Sequence, residues 1–308
     1  MRRSSRKATV DCLGLGIIPL DILLEVPRLP DVGGKIDATN ALLQGGGPVP
    51  NCLTGLSRLG FKTTMIAAVG DDLFGEMTIR ELTKERVSTK YMITKGTASD
   101  LAAGYVESGS GRRTIVLRRS AYVRPVDLKV SRLPVPRLIH MDGRDLDACM
   151  KLARYGRKVG AVISFDIGSM RNDVSPIFPL VDHLVVADAY ALPFTGCRNA
   201  KAAARKLSQL CPGTIVVTEG LEGQLALEDG KFSRQSAFPV DPVDTTGAGD
   251  AFHAGYLYGL LQGKPLEERM EIGSAVAALK CLKMGARTSL PTMTELKRFL
   301  KKIRKPNA

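Results

Sequence analysis

Apolar and polar positions alternate differently in the first third of the chain and in the remainder. Residues 9–15 form an apolar run of strand length, and residues 17–26 form a second extended, partly alternating run. A third extended run, residues 35–44, follows the turn Pro30-Asp31-Val32-Gly33-Gly34. Such runs before any helix predict a small sheet apart from the main fold. Residues 52–60 are apolar at helical spacing and end in a glycine of the C′ type. A strand over 61–69 and a helix over 76–84 come next. Residues 101–107 and 113–119 flank Ser108-Gly109-Ser110-Gly111-Arg112, the pattern of a β-hairpin that completes the small sheet. Beyond Pro125 the pattern is regular βα alternation: strands at 138–141, 161–166, 183–187 and 214–218, helices at 145–159 and 201–210. Buried runs separated by helices predict a mostly parallel sheet covered on both faces, with ligands at the carboxyl ends of its strands. A helix over 266–283 is broken at Gly285-Ala286, and Thr292-x-x-Glu295 is a capping box opening the last helix.

Composition places these elements in a globular protein. The 308 residues are 44% hydrophobic and 24% charged, without low-complexity runs. No apolar stretch reaches the roughly 18 residues of a membrane span. The basic start, Met1 to Lys7, leads into a strand without a cleavage pattern, so a cytoplasmic protein is expected. Six scattered cysteines and three separated histidines (His140, His183, His253) lack zinc-ligand spacing, and the thiols read as reduced and mostly buried. The net charge of +13 admits nucleic acid or an anionic substrate as partner. The charge is spread along the chain apart from two tails, 2–7 and 297–305, and no nucleic-acid-binding motif is present, so nucleic acid is an unfavoured partner.

One stretch concentrates the chemistry: Asp244-Thr245-Thr246-Gly247-Ala248-Gly249-Asp250-Ala251-Phe252, running into an apolar helical segment. Gly247 and Gly249 let successive N–H groups approach a ligand, and a helix start leaves those groups free at the positive end of its dipole. Phosphate is the usual occupant. A carboxylate there repels phosphate unless it has another task, and accepting a proton from an attacking hydroxyl fits Asp250. An ordinary loop and N-cap is the plainer reading of Gly-x-Gly-Asp alone. His253 reads either as a partner of Asp250 or as the next helix face. Gly14-Leu15-Gly16 lacks the third glycine and helix of a dinucleotide fingerprint, and no Gly-Lys pair is followed by the Ser or Thr of a P-loop. A second glycine cluster, Gly45-Gly46-Gly47 with Asn51, offers close backbone approach and a paired donor and acceptor.

The full string 244–252, taken with Asp21 and the Gly46-Gly47-x-x-x-Asn51 pattern, resembles the ribokinase-like (PfkB) carbohydrate kinase family. The resemblance runs from Val10 to about Leu300. It implies one α/β domain over 1–308, a three-layer αβα fold with a mostly parallel central sheet and a small β-sheet lid from segments 17–44 and 100–120. It also implies an ATP-dependent phosphotransferase acting on a sugar or sugar-like hydroxyl. In that family pattern Asp250 is the base, and Gly247, Ala248 and Gly249 supply the anion hole. Asp21, Gly46, Gly47 and Asn51 hold the acceptor, and Thr218, Gly220 and Gly223 lie by the nucleotide. Mg²⁺ accompanies ATP, and Asp244 supports a monovalent cation such as K⁺ or orients the loop, as in some members. Where many members carry Asn-x-x-Glu this chain has Ala187-Asp188-Ala189-Tyr190, leaving Asp188 as the nearby carboxylate for magnesium. Among Arg112, Arg113, Arg118 and Arg119, one or more is a candidate to meet an acidic substrate group. A nucleoside or sugar-phosphate kinase of the same fold, or a weakly catalytic binding protein, are the alternatives. The lid has edges and a face that a second copy of the chain suits.

Overall fold

The computed structural model describes residues 8–170 and 173–304. The basic residues 2–7 and Lys305 therefore lie outside the described residues. The chain starts with β1 (Val10–Leu15), β2 (Leu20–Val26) and β3 (Asn40–Gly45), then α1 (Pro48–Arg58). It continues through β4 (Thr63–Ile66), β5 (Ala68–Gly70), α2 (Leu73–Lys84) and β6 (Ile93–Lys95) to the hairpin of β7 (Leu101–Glu107) and β8 (Arg113–Arg118). The βα portion comprises β9 (Pro136–Met141), α3 (Leu146–Val159), β10 (Val162–Ile167), β11 (His183–Ala187), α4 (Asp188–Thr195), α5 (Ala200–Ser208) and β12 (Thr214–Thr218). A hairpin of β13 (Gln224–Glu228) and β14 (Lys231–Gln235) precedes α6 (Ala248–Leu261), α7 (Leu266–Lys280) and α8 (Met293–Ile303).

The main sheet has eight strands in the order β14-β13-β12-β11-β10-β9-β1-β4. Neighbours from β12 to β4 are parallel, and the terminal hairpin adds two antiparallel strands. Side chains alternate between the two faces, and both are buried. Leu13, Ile139, Leu184 and Ile215 enter the core under α3 and α5. Cys12, Leu138, Val185 and Val216 enter the other, against Leu53 of α1, Phe252 and Tyr256 of α6 and Met270 of α7. This is the three-layer αβα arrangement with a mostly parallel sheet.

A separate four-stranded sheet, β3-β2-β7-β8, is assembled from the two early excursions of the chain. Its β2 and β7 run parallel, and its outer pairs are antiparallel. The register sets Asp21 beside Gln44 and Ala102 on the inner face. Ile22 lies between Leu43 and Ala103, with Val116 beyond, on the outer face.

Three sequence expectations change. The apolar run 61–69 is two strands, because β4 follows β1 only as far as Ile66 and β5 then pairs with β6 in a third sheet. Both pieces are buried, and an apolar run does not disclose its pairing partner. Helix α1 starts four residues earlier than its apolar spacing suggests: Pro48 takes its first position, where the missing N–H costs nothing. Asn51 consequently sits in the first helical turn rather than in a loop. Residues 35–39 lie outside β3. The six thiols are all unpaired, five of them buried. No helix of the described residues is long and apolar enough to cross a membrane.

The capping box at α8 is formed: Thr292 Oγ1 accepts the Glu295 N–H at 3.3 Å, and Glu295 accepts the Thr292 N–H at 2.7 Å. Thr292→Ala is expected to lower the urea midpoint by an amount equivalent to about 1 kcal/mol without changing the denaturant slope.

Candidate active site

The start of α6 is shaped by its own loop. Gly247, at the N-cap, is left-handed with φ 76°, and a Cβ there would lie 2.6 Å from the Ala286 methyl. Only glycine satisfies both conditions. Thr245 carbonyl takes the Ala248 N–H at 3.1 Å, and Gly247 carbonyl takes that of Ala251 at 2.9 Å. The N–H groups of Gly247, Gly249 and Asp250 make no hydrogen bond among the described residues. The Ala248 N–H is thus engaged within the turn. Gly249 faces open space, with nothing within 4 Å of where a Cβ would stand. Unpartnered N–H groups at the positive end of a 14-residue helix can bind an anion.

Asp250 lies half-buried in the first turn of α6 and accepts a 2.7 Å hydrogen bond from Asn51 Nδ2. Asn51 turns its Oδ1 to Arg287 Nε at 3.3 Å, while Arg287 Nη2 donates to the Gly46 carbonyl at 3.1 Å. Glu81, 3.3 Å from Arg287 Nη1, also accepts the Gly45 N–H at 2.5 Å. Asp21 is packed against this cluster: a Cβ on Gly46 would fall 2.1 Å from Asp21 Oδ1. The acceptor-site residues predicted from sequence thus converge with Asp250 on one cluster. Arg287, 3% exposed and central to it, is a site residue that sequence reading missed. Its only signal was a charged residue directly after the Gly285-Ala286 break.

Electrostatics follow from burial. Asp21 is pushed up to about 7, mainly by burial and also by Asp250 and Glu81, with Arg287 opposing. Asp250 is likewise held above the usual carboxylate value by burial and then by the charge of Asp166, while the Asn51 hydrogen bond and His253 pull it down. Behind Asp250, His253 Nε2 is 3.1 Å from Asp166 Oδ1, and the His140 ring stands 5.0 Å from that of His253. The ligating atoms of His140, Asp166 and His253 lie within 4.8 Å of one another. Histidines that are isolated in sequence are brought together by packing of α6 on β9 and β10. Burial and the neighbouring His253 hold His140 down to about 3, so it is neutral.

Beside the anion site opens a cavity of about 900 Å³. Its polar end includes Thr218, Thr245 and Gly249, and its apolar walls include Leu221, Phe238, Val240 and Ala278. Thr218, Gly220 and Gly223 all line it. The wall from Ala237 to Pro242 carries no motif and was not anticipated. The small sheet reaches this cavity through its hairpin: Thr245 Oγ1 donates to the Gly111 carbonyl at 3.0 Å, and Arg113 Nη1 donates to the Thr245 carbonyl at 3.1 Å. Of the four hairpin arginines only Arg113 lines the cavity. Arg112 pairs with Glu107, Arg118 donates to the Ser99 carbonyl, and Arg119 is bound between Asp100 and Asp145.

Two expected ion ligands are differently placed. Asp188 opens α4 at the end of β11, accepts its neighbour's N–H at 2.7 Å from Ala189, and is absent from the cavity lining. Tyr190 is buried and stacks on Phe194 at 5.1 Å. Asp244 is fully buried, its two carboxylate oxygens accepting the N–H groups of Thr246 and Gly285, each at 2.7 Å. The Lys280 ammonium, also fully buried, donates to the Asp244 carbonyl at 2.5 Å and stands 4.0 Å from its carboxylate. Burial lowers the affinity of Lys280 for its proton, and Asp244 opposes that effect.

An αβα fold with unengaged helix amides, a carboxylate in the same helical turn and a cavity beside them is the arrangement of a phosphotransferase of the ribokinase fold. The chain belongs to the pfkB family of carbohydrate kinases, whose model matches residues 9–293. It is an ATP-dependent kinase of a sugar or sugar-like hydroxyl. The chain is 26% identical over 298 residues to a ribokinase of Haemophilus influenzae, covering 93% of this chain and 97% of that one. It is 25% identical to a nucleoside kinase of Methanothermobacter thermautotrophicus, covering 94% and 95%. The structure of Arabidopsis thaliana ribokinase with ribose and ATP shares the fold at a TM-score of 0.81 and 23% identity, over 95% of this chain and 99% of that one.

With Asp21 raised from 3.8 to about 7, the folded chain holds a proton that the unfolded chain releases between those values. The stability this confers is complete below the lower value and is lost as pH rises through the upper one. Asp21→Asn removes that titration. Urea unfolding at acid and at alkaline pH is therefore expected to show the variant gaining on the native protein as pH rises; a pH-independent difference would contradict the assignment.

Proposed function

We propose that Asp250 is the general base of the phosphoryl transfer and that Asp21, Gly46, Gly47 and Asn51 hold the acceptor in front of it. The observation that carries this reading is the Asn51–Asp250 hydrogen bond of 2.7 Å, which joins the cluster around Asp21, Gly46 and Asn51 to the open amides of α6. ATP occupies the cavity of about 900 Å³, its base against the apolar walls and its phosphates toward Gly249 and Asp250. The acceptor oxygen attacks the γ-phosphorus and gives its proton to Asp250. The bond from that phosphorus to the β-phosphate bridging oxygen breaks, and ADP leaves with the pair. Amides of Gly247, Gly249 and Asp250 stabilise the charge on the moving group. Asp188, at the head of α4, is the carboxylate that would hold the water shell of a magnesium ion bound with ATP, whose charge would offset that of the phosphates. The small sheet acts as a lid that excludes water, with Arg113 and Gly111 resting on the Thr245 loop.

The acceptor is a neutral polyol rather than a phosphosugar. Arg118 and Arg119 are engaged by the protein itself, and Arg287 is matched by Glu81. The free thiols suit a reducing cytoplasm. The outer lid face is exposed and apolar, with Leu43 at 45% and Val116 at 67% exposure in one row across the strands. A second copy of this chain covers it, giving a homodimer.

Two outcomes follow. Asp250→Asn keeps the fold and loses turnover by about 10²- to 10⁴-fold, measured as ADP release against a panel of sugars, nucleosides and phosphosugars. Near-native turnover in the variant would remove Asp250 as base, and preference for a phosphosugar would remove the neutral-polyol assignment. Val116→Arg is expected to shift the sedimentation coefficient from dimer to monomer at unchanged secondary structure.

A further inference from the structure

Monovalent-cation sites are built from carboxylate and carbonyl oxygens that surround one positive charge. Asp244 presents both kinds of oxygen in a fully buried setting directly before the anion-binding turn. The positive charge facing them is already part of the chain. Lys280, the last residue of α7, reaches the Asp244 carbonyl at 2.5 Å and stands 4.0 Å from its carboxylate. Other nearby oxygens are also engaged: the Cys281 carbonyl accepts the Val243 N–H at 2.8 Å, and the Gly285 carbonyl accepts Ser289 Oγ at 2.6 Å. Neither Asp244 nor Lys280 has any exposed side-chain surface. A metal ion entering here meets an ammonium at contact distance, and like charges at that range repel strongly in a protein interior. The residues of this chain do not fit a potassium ion.

We propose that the Lys280 ammonium is the built-in counter-ion of the Asp244–Asp250 turn, so that the protein needs no monovalent metal ion. Lys280 is a positioning residue. It fixes the Asp244 carbonyl and carboxylate, whose partners Thr246 and Gly285 in turn set Gly247 against Ala286. The inference rests on reading this turn as the phosphate-binding turn of the kinase, although the charge pairing itself does not.

The test compares chloride salts of potassium, sodium and tetramethylammonium at one ionic strength, with ATP supplied as its Tris salt. Two quantities are read: ADP release with an active acceptor, and the thermal unfolding midpoint, which requires no acceptor. For the native protein both are expected to be the same in all three salts. A potassium-specific activation of about tenfold, or a potassium-specific rise in the midpoint, would show a bound ion and overturn the proposal. Lys280→Ala leaves Asp244 without its counter-ion and opens space beside it. That variant is expected to lose activity by at least about tenfold in tetramethylammonium, and to regain much of it, with a raised midpoint, in potassium or ammonium. Lys280→Met restores bulk without charge, and full activity of this variant in tetramethylammonium would overturn the proposal. If neither variant folds, the native series alone decides. If no acceptor is phosphorylated, the kinase assignment fails separately, and the midpoints still report whether potassium binds.

Discussion

In the proposed reaction a carboxylate must remain able to take a proton while sitting beside amides that attract phosphate. That single constraint organises the structure around Asp250. Placed in the first turn of α6, the carboxylate would share the positive helix end with the phosphate of the proposed reaction. Its 2.7 Å hydrogen bond from Asn51 restrains its direction and offsets part of the rise in proton affinity that burial and Asp166 impose. In the proposed reaction that rise would make it a stronger base. Because the hydrogen bond comes from α1, the two ends of the chain have to pack together before the site exists.

The same constraint explains why so many charges are buried near one another. Asp21, Asp244, Asp166 and Arg287 are each less than a tenth exposed. Isolated buried charges are costly, and Arg287, Asp166 and Asp244 each have a partner or a hydrogen-bond set. Arg287 binds Asn51, the Gly46 carbonyl and Glu81; Asp166 faces His253; Asp244 faces Lys280. At 4 Å, two unit charges interact by about 4 kcal/mol at an effective dielectric constant near 20, enough to decide which ions the turn admits. The small sheet meets the Thr245 loop through the backbone of Gly111 and the side chain of Arg113.

How much of this was legible in the sequence follows from the range of each interaction. The turn 244–252 was legible because its conformation is local: Gly247 supplies the left-handed residue, and the apolar run after it specifies the helix. The βα order and both hairpin strands of the lid were legible from apolar period. Asp21, Gly46 and Asn51 were found through their resemblance to a family pattern, while the contacts joining them span nearly the whole chain. Arg287 was not found, since a lone arginine after a helix carries no signal until Asn51 and Gly46 surround it. His140, Asp166 and His253 lie on three elements and become neighbours only through the sheet. The Phe238 wall and the β4–β5 break are likewise products of packing, as is the pairing of Lys280 with Asp244.

The placement of the acceptor before Asp250 is the central claim, and it is tested most directly by a crystal structure with the phosphorylated panel acceptor's parent compound and a non-hydrolysable ATP analogue. The account predicts the reactive hydroxyl within hydrogen-bond reach of an Asp250 carboxylate oxygen, in line with a terminal phosphate seated on the Gly249 and Asp250 amides. An acceptor bound with its hydroxyl directed away from Asp250, or a terminal phosphate seated elsewhere than on those amides, would contradict it.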